Sequence, residues 1–170
     1  MEINSGTVTI HTDVAGSASR MGHRLVIVVE QWSASVQMRG KKPVAVQFRA
    51  ALDSLRVESG SGGITPLTPV DKQVIVRNAT KTLAVGRYPE VVFASSEIRA
   101  TADRVDVVGE LTIHGVTQPL SASLALADGR ATASIPVRQT DFGVKPYSLM
   151  FGQLKVADEV VVGLDVQIPG

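Results

Sequence analysis

The residues that could carry catalysis or hold a metal ion are few and scattered. None of the three histidines, His11, His23 and His114, lies two or four positions from another or beside an acid-rich loop. A local metal site needs such spacing, so none is predicted. The absence of cysteine excludes zinc thiolates, iron–sulfur clusters, disulfides and a cysteine nucleophile. A distant pair can still meet in the fold, and His23 with Asp141 would be the acid–base pair of an enzyme.

Other signatures of catalysis and of nucleic-acid binding are missing. The sequence contains no Gly-x-Ser-x-Gly elbow, no Walker loop and no Gly-x-Gly-x-x-Gly turn. The glycine-rich run 60–63 lacks the lysine of a phosphate loop, so it predicts a flexible connection. Lys and Arg number 17 against 16 Asp and Glu, and the one basic cluster, 39–42, fits a hairpin turn. A nucleic-acid partner is therefore not expected.

No segment reads as a leader or as a membrane span. Residues 1–6 have neither a basic region nor an apolar run. The longest apolar stretch, 25–29, is too short to cross a bilayer. The expectation is a soluble, cytoplasmic protein without a transmembrane segment.

Alternation of apolar and polar residues dominates the elements that would position any site. This pattern is typical of antiparallel strands with one buried face. Hydrophobic residues make up 44% of the chain but aromatic residues only 4%. Asp128 followed by Gly129 is the strongest hairpin signal. Seven or eight strands of a sandwich or barrel are predicted, some early ones being continuous, at 6–13, 24–31, 33–39, 43–52, 90–101, 104–114, 118–127, 130–138 and 158–168.

One helical insertion is predicted at about 68–85. Thr68 fits the N-cap, Pro69 the first helical position and Asp71 the acid of the first turn. One or two short helices would then cover one end of the β structure. The length of the chain fits a single domain, 1–170. The apolar side of the helix would comprise Val70, Val74 and Ile75.

Four motifs occur in an order and spacing that resembles the YceI-like domain family. They are Tyr-Pro-x-x-x-Phe-x-Ser at 88–95, Gly-x-Leu-Thr-x-x-Gly-Val-Thr-x-Pro at 109–119, Thr-Asp-Phe-Gly at 140–143 and Asp-Glu-Val at 158–160. The resemblance implies an extended eight-stranded antiparallel β-barrel, lipocalin-like in form, with helices at one end. It also implies an elongated apolar interior that holds an isoprenoid or another lipid.

Small side chains in the inward rows favour an interior that is not filled. An eight-stranded barrel is either packed with side chains or holds one small ligand, and an apolar void accepts apolar ligands. Together with the resemblance, this predicts non-enzymatic binding or carrying of an isoprenoid or fatty-acid-like lipid, without a cofactor. The residues expected to line the cavity are Phe93, Val105, Val107, Leu111, Ala122, Leu124, Ala131, Ala133 and Ile135.

Two irregular segments are candidates for the mouth of the cavity. Segment 143–152 is apolar, aromatic and flanked by glycines, and 16–22 could form a second flap. Arg20, Arg24 or Lys145 could pair there with a lipid head group. The residues expected at the mouth are His23, Phe142, Tyr147, Met150 and Phe151.

Two other functions stay open at this stage. Bulkier inward residues such as Phe48, Leu120 and Leu124 could close the interior, and the domain would then be an interaction module with an exposed apolar patch. Alternatively, an enzyme could act on an apolar small molecule in the pocket. A homodimer through paired edges or an apolar mouth is open as well.

Overall fold

The fold is mainly β, with one α-helix and several short 3-10 turns. The structure, a computed structural model, describes residues 1–170. Its 3-10 turns are Ser19–Met21, Leu52–Ser54, Gln139–Phe142 and Met150–Gly152. None of the helices has the length and apolar character needed to cross a membrane. The regular elements are β1 (Glu2–Ile3), β2 (Gly6–His11), β3 (Val14–Ala15), β4 (His23–Val29), β5 (Trp32–Arg39), β6 (Lys42–Ala51), β7 (Leu55–Gly62), α1 (Pro69–Thr82), β8 (Glu90–Ala100), β9 (Arg104–Ile113), β10 (Val116–Ala127), β11 (Arg130–Arg138), β12 (Ser148–Leu149), β13 (Leu154–Val156) and β14 (Glu159–Gln167).

Eleven strands form one strongly curled antiparallel sheet. Its order is β1-β5-β6-β8-β9-β10-β11-β14-β2-β4-β7, and its end strands, β1 and β7, do not pair with each other. A second, small sheet has the order β12-β13-β3. The predicted antiparallel, mainly β fold with a helix is confirmed. The predicted eight-stranded closed barrel is wrong, because the large sheet is open and has more strands.

The strand count exceeds eight because two long strands are interrupted and a further strand is added. β1 pairs with β5, and β2 pairs with β4, in one shared register, with Ile3 opposite Ala34 and Thr9 opposite Val28. Short breaks therefore separate β1 from β2 and β4 from β5; the break between β4 and β5 falls between the predicted strands 24–31 and 33–39, whereas β1 lies outside the predicted strands. Because β1 and β2 lie beside β5 and β4 in this way, the sheet curls around its interior here.

Strand β7 is the added strand, and the sequence does not predict it. Its alternation of buried and exposed residues stops after four positions, and its glycine-rich end reads as a flexible connection. In the structure Gly60 pairs with Leu25 and Gly62 with His23 at the edge of the sheet. Pairing with β4 thus overrides the weak local signal for a strand.

Helix α1 begins where the sequence predicts. The Asp71 carboxylate accepts a hydrogen bond from the Thr68 amide (2.8 Å), and the Thr68 hydroxyl accepts one from the Asp71 amide (3.1 Å). This reciprocal capping box satisfies two amide groups that the first turn of a helix leaves unpaired. The Thr68 amide and then its hydroxyl hold the pKa of Asp71 below its usual value.

The face of α1 that packs on the sheet differs from the predicted one. Ile75, Ala79 and Leu83 recur every four residues and pack against the buried cluster of β2, β4, β6 and β7. Val70 and Val74 are 67% and 41% exposed, so their assignment to the buried side is wrong. The helix runs unbroken to its end at Thr82. The residues in the second half of the helix therefore set which side of it faces the sheet.

The two irregular segments expected near the mouth meet in the small sheet. Val156 of β13 pairs with Val14 of β3, and Leu154 pairs with Leu149 of β12. The backbone amide of Ala18 donates a hydrogen bond to the Gln153 carbonyl (2.8 Å). We call residues 13–24 and 145–156 together the flap. Two segments far apart in the sequence therefore form one structural unit.

The large sheet is parted between β10 and β11. Both strands pair fully with their outer neighbours, β9 and β14, over ten and nine residue pairs. Between them, pairing covers only the three residue pairs next to the turn, from Ala127 opposite Arg130 to Ala125 opposite Thr132. We call the unpaired remainder of this junction the seam.

Two prolines lie along the unpaired part of the seam and oppose its closure. In an antiparallel pair, successive residues turn their N–H and C=O groups toward alternate neighbours. Counting from the pair formed by Ala127 and Arg130, the backbone nitrogens of Pro119 and Pro136 both face the seam. Proline has no N–H to donate, so each one removes a bond that the ladder would need.

Strand β9 carries a glycine where β8 passes too close for a side chain. An added Cβ at Gly109 would collide with the Ala94 carbonyl oxygen and lie 2.8 Å from Phe93 Cζ and from Ser95 Cα. The register between β8 and β9 shifts just after Ser95, and this bulge brings the β8 backbone toward Gly109. The close approach accounts for the glycine that interrupts the apolar row of β9.

We expect Gly109→Ala to lower the free energy of unfolding by about 1–3 kcal/mol, because the β8 backbone must move to admit the methyl group. Denaturant titration followed by circular dichroism measures the change. Gly86→Ala is the matched control, since an added Cβ at Gly86 meets nothing within 4 Å. Equal losses of stability in both variants would contradict the explanation by close approach.

Candidate functional site

The curled sheet encloses an apolar cavity of about 620 Å³. It is lined by 50 residues, of which 43 are hydrophobic. The volume lies within the usual range of ligand sites, about 300–1,000 Å³. Only 20 of the 170 residues are buried, because many inward side chains face the cavity instead of one another.

The walls of the cavity are built mainly from aliphatic rows. Residues at every second position of a strand point to the same side, so each strand contributes one row. The buried core is divided into three separate clusters around the cavity. Strands β9, β10 and β14 contribute Val105, Val107, Leu111, Leu120, Ala122, Leu124, Val160, Val162, Leu164 and Val166.

Four tryptophan and phenylalanine side chains narrow the cavity without filling it. The rings of Trp32 and Phe48 are stacked, with their centroids 6.1 Å apart. Phe93 and Phe142 belong to the buried cluster on the β9 side. All four also line the cavity, and Trp32 is the only tryptophan of the chain.

Polar lining residues lie at the two ends of the cavity. Lys41 and Thr101 lie in the hairpin turns after β5 and β8, and Lys41 is the one charged residue of the lining. At the opposite end, Asn78 and Thr82 lie one turn apart on α1. The other polar lining residues at this end are Thr12 and Gln139. The wall between the ends is hydrophobic and suits a ligand with a long apolar body.

Most residues expected at the cavity lie on its wall. Their role in binding a ligand stays a prediction. Those on the wall are Phe93, Val105, Val107, Leu111, Ala122, Leu124, Ala131, Ile135, Phe142 and Tyr147.

Four expected residues lie outside the lining. Phe151 is fully exposed in a left-handed backbone conformation (φ 56°), and Met150 is 46% exposed, so both point away from the cavity. The ring Nε2 of His23 lies 2.6 Å from the Thr65 carbonyl oxygen. Ala133 borders an outer groove near the seam. Strand alternation cannot reveal where a seam parts the wall, and loop composition cannot reveal which way a side chain points.

Several lining residues were missed as site candidates. Trp32 and the β4 row Leu25, Ile27 and Val29 lie on the wall. The alternation of these strands is visible in the sequence and could have marked them. Asn78 carried no signal, because its position depends on how α1 turns over the end of the sheet.

The structure does not bring the expected acid–base pair together. No hydrogen bond or ion pair joins His23 to Asp141. The backbone carbonyl of Asp141 instead accepts a hydrogen bond from the side-chain Nε2 of Gln118 (2.9 Å). His114 packs against the Tyr88 ring, with centroids 4.9 Å apart. No group of three or more histidine and acidic side chains is close enough to hold a metal ion.

Comparison with known families connects this architecture to its relatives. The model of the YceI-like domain matches residues 5–168, which is nearly the whole chain. The chain belongs to the YceI-like domain family. The family resemblance predicted from the four motifs is therefore confirmed.

Curated relatives of this YceI-like chain are UPF0312 proteins. One from Pseudomonas syringae pv. tomato is 27% identical over 112 residues, which cover 65% of this chain and 54% of that protein. One from Pseudomonas putida is 32% identical over 74 residues, which cover 37% and 38%. The chain thus spans about half the length, or less, of the curated relatives it matches.

Solved structures support the YceI-like fold at low sequence identity. BcnA of Burkholderia cenocepacia is similar with a TM-score of 0.67 and 18% identity, over 94% of both chains. The YCEI protein of Campylobacter jejuni gives a TM-score of 0.59 and 13% identity, over 83% of this chain and 82% of that one. Likeness at this level shows the fold alone.

In this YceI-like chain, one aspartate fastens a turn at the helix end of the cavity. The Asp158 carboxylate accepts hydrogen bonds from the Thr140 hydroxyl (2.6 Å) and backbone amide (2.8 Å). The Arg138 Nε lies 3.6 Å from Asp158 Oδ2. The Thr140 hydroxyl, followed by its amide and the Arg138 charge, lowers the pKa of Asp158. The same turn carries Phe142 into the lining.

We expect Asp158→Asn to lower Tm by about 2–4 °C at neutral pH, because the charged form makes the stronger bonds. The folded-state pKa lies below the unfolded value, so charged Asp158 stabilises the fold above about pH 4. That stabilisation is lost as pH falls through the folded-state pKa, and the two melting curves should then converge.

Thermal melts followed by circular dichroism across pH 2–7 provide the measurement. Asp141→Asn is the matched control, since the Asp141 carboxylate in the same turn makes no hydrogen bond or ion pair. A Tm difference between Asp158→Asn and the unmodified chain that persists unchanged into acid would refute the assigned role of the charge.

Proposed function

We propose that the chain binds one molecule of an apolar lipid, an isoprenoid or a fatty-acid-like chain, in its interior cavity. It acts as a carrier, makes and breaks no covalent bond and needs no cofactor. The observation that supports this most strongly is the cavity of about 620 Å³ with 43 hydrophobic residues among its 50 lining residues.

The hydrophobic effect is sufficient to hold such a ligand. Burying one methylene group contributes about 0.8 kcal/mol, so ten of them contribute roughly 8 kcal/mol. This offsets a large part of the cost of association, about 4–15 kcal/mol. Affinity should therefore rise with chain length until the cavity is filled.

Trp32 provides an intrinsic signal for ligand binding, because it lines the cavity and is the only tryptophan. Delipidated protein is titrated with farnesol, geranylgeraniol and palmitic acid, and the Trp32 emission is recorded. Native mass spectrometry of the same samples counts bound molecules. The expected result is one lipid per chain, with geranylgeraniol binding more tightly than the shorter farnesol.

Ala122→Phe should weaken lipid binding at least about tenfold, a loss of about 1.4 kcal/mol, because the added ring occupies the space of the ligand. Ala122 lies on the cavity wall in the middle of β10. Ala125→Phe is the matched control, since Ala125 lies on the outer side of the same strand. It should bind lipid like the unmodified chain.

Circular dichroism first establishes that both variants are folded. Absence of lipid binding by the unmodified chain would overturn the proposed function. Equal affinity of the folded Ala122→Phe variant and the unmodified chain would overturn the cavity as the binding site.

A further inference from the structure

The flap presents exposed apolar side chains to solvent. Met21, Leu149 and Met150 are 44%, 49% and 46% exposed, and Phe151 is completely exposed. The backbone of Phe151 has a left-handed φ of 56°, and its complete exposure shows that its ring packs on no other part of the flap. The exposed ring of Phe151, beside Met150 and Leu149 in sequence, is an apolar surface without an intramolecular partner.

The flap also concentrates positive charge. Its two segments contain Arg20, Arg24, Lys145 and Lys155, and their single acid is Asp13. Asp13 pairs with Arg24 (2.9 Å), whereas the other three cations form no ion pair. The whole chain carries a formal net charge of only +1, so the flap is locally basic.

The flap is a defined unit, so its two backbone segments are held side by side. β3, β13 and β12 form its sheet, and an added Cβ at Gly22 would lie 2.8 Å from both Leu154 and Val14. The close packing of these residues keeps the segment bearing Arg20 and Met21 against the segment bearing Phe151. The apolar and basic groups therefore act as one surface.

We propose that the flap docks on the surface of an anionic lipid bilayer, with Phe151 and Met150 entering the head-group region and the three unpaired cations facing lipid phosphates. Exposed aromatic and aliphatic side chains beside cations are the features of an interfacial membrane anchor. Cations held near an anionic surface add to the attraction, and their contributions accumulate. This inference goes beyond the proposed function and rests on different residues.

A homodimer is a poorer occupant of the same surface. A two-fold symmetric dimer through the flap would bring Arg20, Lys145 and Lys155 of one copy against the same residues of the other. Like charges at close range repel each other, whereas anionic lipids supply charges of opposite sign. Charge complementarity therefore favours the bilayer.

The flap borders the cavity, so docking of the flap would bring the cavity close to the membrane. Tyr147 and Val156 belong to the flap and also line the cavity. A docked flap would therefore place the helix end of the cavity beside the head-group region. An apolar chain could then move between the bilayer and the cavity with little exposure to water.

Vesicle flotation tests the proposal with the full chain. Unmodified protein should float with vesicles of phosphatidylcholine mixed with phosphatidylglycerol, and much less with vesicles of phosphatidylcholine alone. The double variant M150S/F151S and the double variant K145E/K155E should each reduce binding to the anionic vesicles at least about tenfold. Raised salt should weaken binding of the unmodified chain.

Two matched controls lie away from the flap. Val108→Ser removes an apolar side chain that is 40% exposed on the outer wall, and Lys42→Glu reverses a charge at the opposite end of the sheet. Both should float like the unmodified chain. Circular dichroism and the Trp32 lipid titration establish that each variant is folded and show separately whether its cavity still binds lipid.

Several results would overturn the docking proposal. They are the absence of flotation with anionic vesicles, equal flotation with both vesicle types, and unchanged flotation of the two flap variants. A dimer in analytical ultracentrifugation that only the flap variants dissociate would assign the surface to a second copy instead. Each of these results leaves the Trp32 titration as an independent test of the proposed function.

Discussion

The structure depends on a mismatch between the space that the sheet encloses and the side chains that face it. Strands of nine to twelve residues make a long interior, and the inward rows are mostly valine, leucine, isoleucine and alanine. With aromatic residues at only 4%, these rows line the interior and leave its centre empty. The cavity and the divided core follow from this mismatch, and the proposed binding of an apolar molecule rests on it.

The same mismatch explains how the fold is held together. Because opposite walls do not meet over most of their length, the backbone ladders carry much of the cohesion that side-chain packing supplies in a filled domain. Compact packing is confined to three clusters, and α1 and the turn fastened by Asp158 lie at one end of the cavity. The ladder is interrupted at the seam, along which two prolines lie.

Much of this architecture could be predicted, because alternation reports directly which side of a strand is buried. The predicted strands at 104–114 and 130–138 agree with β9 and β11 to within one residue. The cap at Thr68 was predictable because hydrogen bonding between neighbours in sequence decides it. Interior positions such as Ala122 could be assigned because every second residue of a strand points to the same side.

The remaining features depend on contacts between distant segments. Strand β7 forms because β4 offers it an edge, and the flap forms because β3 meets β13. The alternation of apolar and polar residues shows which side of a strand is buried. It does not show which strand pairs with it, so it could not reveal the open sheet. Phe151 is apolar, as lining residues are, but it lies in a left-handed turn with its ring in solvent. The empty interior also has a volumetric consequence: unfolding eliminates the void, so hydrostatic pressure destabilises the empty chain, and a molecule that fills the void should make the fold more resistant to compression.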